Sequence, residues 1–91
     1  MSKVVLKGYI IVADGDLLKV QKELVNHKAL TLQEPGCLLF EVTQSKADPN
    51  VFDVYEEFEN KAAFEHHQQR VISSYWGAIT RNVERHYQII E

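Results

Sequence analysis

Apolar residues follow two periods along this chain, and each change of period marks an element. Val4, Leu6, Ile10 and Val12 alternate as one face of a strand, with Val5, Tyr9 and Ile11 on most of the other. Apolar residues on both faces predict that both are covered. Ala13 to Asp16 interrupts the strand, and Asp14 or Asp16 supplies a helix cap. The period then lengthens: Leu17, Leu18, Val20, Leu24, Val25, Ala29 and Leu32 cover about half of a helix surface. Pro35 and Gly36 end that helix.

Alternation returns from Cys37 to Thr43, with Leu38, Phe40 and Val42 predicted on one side of a second strand. After a polar turn, Phe52, Val54, Glu56 and Phe58 alternate with Asp53, Tyr55 and Glu57 as a third strand. Asn60 is placed to cap a second helix, with Ala63, Phe64, His67 and Val71 on its inner face. Ile72, Tyr75, Trp76 and Ile79 predict a further short helix. Asn82 to Ile90 closes as a fourth strand, with Val83, Tyr87 and Ile89 set against Glu84, His86 and Gln88. Strand, helix, strand, strand, helix, strand is the ferredoxin-like α+β plan, and residues 1–91 form a single domain. Its helices cover one face of the antiparallel sheet. The first strand asks for cover on the other, so a two-fold homodimer packed sheet to sheet is expected.

Composition narrows the function. The net charge of −3 and scattered basic residues give no footprint for nucleic acid or a membrane surface. No apolar run reaches membrane-spanning length and no signal-peptide cleavage pattern opens the chain, so a cytoplasmic location is expected. The single cysteine, Cys37, fits that compartment and reads as a small buried hydrophobe. The four histidines have no spacing that sets two ligands beside a carboxylate on one face, so no metal site is predicted. His27, His66 and His86 have no partner within the pattern.

The chemistry concentrates on two residues. Glu56 stands among apolar positions about three residues before the third strand ends, roughly 10 Å along it. His67 stands about six residues into a helix that doubles back, roughly 9 Å at helical rise. Helix packing on strand sets the two side chains opposite each other in a dry layer, where each perturbs the other's protonation. Two readings of the pair stand: a catalytic dyad, or a buried hydrogen bond that ties helix to strand.

Three segments carry a family resemblance: EPGCLLFEV from Glu34, FDVYEEFENKAAFEHH from Phe52, and the aromatic helix after it. Glu-x-Gly-Cys before the second strand, Tyr-Glu-x-aromatic ending the third and Ala-Phe-x-x-His in the helix resemble the antibiotic biosynthesis monooxygenase family. That family consists of small dimeric α+β barrels and includes quinol monooxygenases. The resemblance implies a monooxygenase without metal or organic cofactor, oxidising a small hydroquinone-like or polyphenolic substrate with dioxygen. It implies His67 as the base, Glu56 as the group that orients it and raises its basicity, and Phe40, Phe58, Tyr75 and Trp76 as pocket walls. Val71 and Ile72 replace the Pro-His pair of many relatives, so a second acid–base group is missing there. The Asn, Trp and His of the haem-degrading branch align with Gly8, Phe58 and Gly77, which excludes haem. Relatives of this fold also include isomerases of small oxygenated metabolites, and a non-catalytic dimeric binding module is the third reading.

Overall fold

The computed structural model describes residues 2–91. The predicted alternation becomes β1 (Val4–Ile11), β2 (Cys37–Gln44), β3 (Val51–Phe58) and β4 (Glu84–Ile90). They form one antiparallel sheet in the order β2-β3-β1-β4. The helices are α1 (Leu17–Leu32), α2 (Lys61–Ile72) and the short α3 (Tyr75–Ile79). This is the ferredoxin-like α+β fold. No helix among the described residues is long and apolar enough to cross a membrane.

The core forms where the inner sheet face meets the helices: Leu6, Ile10, Val12, Phe52 and Val54 pack against Val20 and Trp76. Each fully buried side chain of this size contributes roughly 1.5–3 kcal/mol relative to exposure. Asn60 caps α2 as expected, its side chain accepting from the Ala63 N–H at 2.8 Å. Neither Asp14 nor Asp16 caps α1 with its side chain. A single 3-10 turn over Asp14–Asp16 leads into the helix, and the Asp14 carboxylate accepts from Asn50 Nδ2 at 2.8 Å instead.

Two expected faces differ in the structure. On α1, Leu18, Val25 and Leu32 are 64%, 75% and 51% exposed, while Val20, His27 and Thr31 are buried. The inward stripe is Leu17, Val20, Leu24, His27 and Thr31, spaced alternately three and four residues as one helix face requires. Thr31 faces inward because Arg70 of α2 donates to its hydroxyl, and the His27 ring faces inward stacked on Trp76 of α3. On β2, a register shift between Cys37 and Leu39 turns Leu38 out, 54% exposed, while Phe40 and Val42 stay inward opposite Glu56 and Val54. Val83 precedes β4 and every β4 residue is exposed, so the expected fourth strand starts two residues late and forms an uncovered edge.

Two glycines carry the layout of the site. Gly36 has φ +87°, a left-handed turn that reverses the chain from α1 into β2. A Cβ at Gly77 would stand 2.0 Å from the Val71 carbonyl oxygen. Only glycine lets α3 fold so tightly onto the end of α2, which carries Trp76 over α1.

Candidate functional site

His67 is 2% exposed, at the centre of the inner face of α2. Its Nδ1–H donates to the Glu34 carboxylate, at 3.0 and 3.1 Å from the two oxygens. Glu34 follows α1 directly, where a negative charge opposes the helix dipole. Arg70, one turn beyond His67 on α2, offsets that cost: its Nε–H donates to Glu34 and its Nη2 donates to Thr31 Oγ1 at 2.9 Å. A carboxylate paired with Arg accepts only, so the His67 proton sits on Nδ1 and Nε2 is left as a bare acceptor.

On the Nε2 side stands Glu56, its carboxyl oxygen 3.6 Å away, too far for a hydrogen bond. Glu56 is 7% exposed and pairs across the sheet with Phe40 and Leu6. Its carboxyl is pushed up to about 8, first by burial and then by the nearby Glu34 charge. Burial likewise holds His67 below the usual histidine range, outweighing the opposite pull of its bond to Glu34. Near neutral pH the pair is a neutral imidazole facing a protonated carboxyl.

Glu56 looks into two small adjoining hollows, both partly open to solvent. Both are lined by His27, Trp76, Arg85 and Tyr87, and His67 lines the second. Phe40 and Val42 floor the first. Arg85 stands at this wall with its Nη2 donating to the Thr80 carbonyl at 2.7 Å. A neutral acceptor and a protonated acid beside aromatic walls suit proton transfer on a flat, apolar molecule.

The structure brings His67 and Glu56 together, as the spacing predicts, and sets Phe40 and Trp76 on the hollow. Phe58 is fully buried behind the imidazole, 5.0 Å between ring centroids, and lines neither hollow. Tyr75 is 59% exposed and lines neither hollow, so the expected wall is absent there. The first residue of a five-residue helix points outward when its neighbour Trp76 points in. The orienting contact expected of Glu56 belongs to Glu34, because Nδ1 faces the end of α1 and Nε2 faces β3.

Sequence reasoning leaves Glu34, Arg70 and His27 outside the site. A signal existed for each. An acid at a helix C-terminus demands a cation, and Arg70 lies three residues beyond His67, on the same face. His27 falls seven residues after Val20, in phase with the buried stripe.

The sequence profile of the antibiotic biosynthesis monooxygenase family matches residues 4–78. Among solved structures, a conserved Bacteroides thetaiotaomicron protein of unknown function, described as a candidate oxidoreductase, superposes with TM-score 0.79 at 20% identity, covering 99% of this chain and 97% of that one. A Nitrosomonas europaea protein, provisionally named an antibiotic biosynthesis monooxygenase, gives 0.79 at 18%, covering 98% and 94%. The Pseudomonas aeruginosa protein PA3566 gives 0.75 at 24%, covering 99% and 91%. At such identities these likenesses speak for the fold. No functionally curated protein matches the chain. The matched span holds Glu34, Glu56, His67 and Trp76 together with three of the four strands, and by it the chain belongs to the antibiotic biosynthesis monooxygenase family.

Proposed function

We propose that this protein is a cofactor-independent monooxygenase that oxidises a small hydroquinone-like or polyphenolic substrate with dioxygen. It works as a cytoplasmic homodimer, the outer sheet faces packed together over half-exposed groups such as Tyr9 and Ile90. The observation that carries the reading is the dry pair of His67 Nε2 and Glu56, 3.6 Å apart beside an aromatic-walled hollow.

His67 Nε2 takes a phenolic proton, and the Glu34 carboxylate stabilises the imidazolium that forms. The electron-rich ring carbon bonds to dioxygen, and the peroxide anion takes the proton back from His67. His67 then removes the hydrogen of that carbon while the O–O bond breaks. The departing oxygen takes the Glu56 proton and leaves as water, and the other oxygen remains as a quinone carbonyl. The water just formed relays a proton from His67 to Glu56 and restores both groups. Dioxygen gains four electrons and the ring loses four, so no outside reductant enters.

The test is oxygen uptake by metal-free protein over a panel of hydroquinones, with His67→Ala alongside. Uptake is expected, falling roughly 10²–10⁴-fold in the variant. Full activity in a folded His67→Ala protein would remove the assigned base. Turnover at an equal rate under nitrogen would point to an isomerase using the same pair for proton transfer.

A further inference from the structure

We propose that His27 is a substrate-binding residue, donating from Nε2–H to a second oxygen on the ring whose first hydroxyl is held by His67. The inference rests on the quinol reading of the cavity and names its substrate class: an aromatic ring with two oxygen functions.

His27 is an expensive residue to bury where it stands. It is 3% exposed, and among the described residues its Nδ1 is the one side-chain nitrogen or oxygen wholly shut off from solvent that has no hydrogen-bond partner. Its ring lies parallel to Trp76, centroids 4.6 Å apart at 3°, and edge-on to Phe40 at 5.3 Å. A phenylalanine would fill that slot with no unpaired polar atom. The imidazole therefore makes sense through what its other edge meets.

Enclosure decides which edge that is. Nδ1 is wholly enclosed, whereas Nε2, which also lacks a protein partner, is not; the ring lines both hollows, and Nε2 is its nitrogen free to meet what enters them. A neutral imidazole keeps one proton. On Nδ1 it would strand an N–H donor, whereas on Nε2 it leaves only an under-used lone pair against the aromatic rings, the milder of the two costs. Burial, with His67 and Arg70 nearby, keeps the ring neutral far into acid.

The cavity thus holds two neutral histidines of opposite tautomer, ring centroids 6.0 Å apart. His67 presents a bare acceptor because Glu34 holds its proton. His27 presents a donor because its acceptor nitrogen is walled in. One takes a hydroxyl proton and the other receives an oxygen, so a ring with a single hydroxyl uses only half of the site.

Imidazole ¹⁵N-labelled protein, observed by long-range ¹H–¹⁵N NMR under nitrogen, tests this with hydroquinone and phenol as probes. The expected protons are on Nδ1 of His67 and Nε2 of His27. Hydroquinone is expected to shift both rings and phenol only His67. His27→Phe, which keeps the aromatic stack, is expected to weaken hydroquinone roughly tenfold and leave phenol unchanged, the size of one lost hydrogen bond. A proton on His27 Nδ1, or hydroquinone moving His67 alone, would overturn the role of His27 and spare the quinol reading. Silence of both rings toward both probes would overturn the two together. Response of both rings without oxygen uptake in air would support the binding role and remove the oxidation chemistry.

Discussion

The two buried histidines sit 6.0 Å apart in one layer and are equally hidden from solvent, yet their surroundings are opposites. Around His67 the fold has built a charged relay running from Thr31 through Arg70 and Glu34 to Nδ1. Around His27 it has built a stack of rings and left Nδ1 unpaired. Burial alone therefore says little about a histidine. Its partners decide which nitrogen carries the proton, and hence whether the ring acts as base or as donor.

The largest expected effect comes from removing the feature that separates the two. Glu34→Gln takes away the carboxylate that fixes the His67 tautomer and leaves Arg70 without its anion. Turnover in the oxygen-uptake assay is expected to fall on the order of 10³-fold. An unchanged rate, with the His67 proton still on Nδ1, would show that the relay is packing only.

Glu56→Gln comes next, and it tests stability. In the unfolded chain Glu56 titrates near 4.5 and in the fold near 8, so between those values only the folded state keeps the proton. Stability therefore falls as pH rises through that window and levels off above it. The variant escapes that loss, gaining on the order of 3 kcal/mol at pH 7 and nothing below about pH 4.5. Urea titrations at pH 4 and pH 7 read the difference.

His27→Phe bears on the acid side. His27 titrates near 6.5 unfolded and near 3 folded, so the unfolded state takes the proton first and stability is lost as pH falls below 6.5. The variant is expected to retain on the order of 2 kcal/mol more than the parent does at pH 5, relative to pH 7.5. His67, whose value is also lowered, leaves part of the acid slope in place. Smallest of all, Tyr75→Ala is expected to change stability by less than about 0.5 kcal/mol and turnover not at all, because the side chain lies in solvent.

The strands were legible because alternation carries burial directly: Val4, Leu6, Ile10 and Val12 were read inward and are all buried. The Glu56–His67 approach followed from strand rise, helix rise and one reversal at Asn60. The α1 face is blurred in the apolar pattern because Leu18, Val25, Leu30 and Leu32 lie outward while two of the inward residues, His27 and Thr31, are polar. Leu38 was misread because a bulge changes the parity of a strand without any mark in its composition.

The sequence by itself determined the order of elements, the family, and the two side chains that meet through one local turn. Their separation in the chain is short, so periodicity is enough to bring them face to face. Only the tertiary structure decided what surrounds them. Glu34 reaches His67 across a separation of 33 residues, and His27 meets Trp76 because α3 folds back through Gly77. Those contacts depend on how helices cross over a sheet, and hydrophobic period, which reports only that a face is inward, carries no information on which inward faces touch.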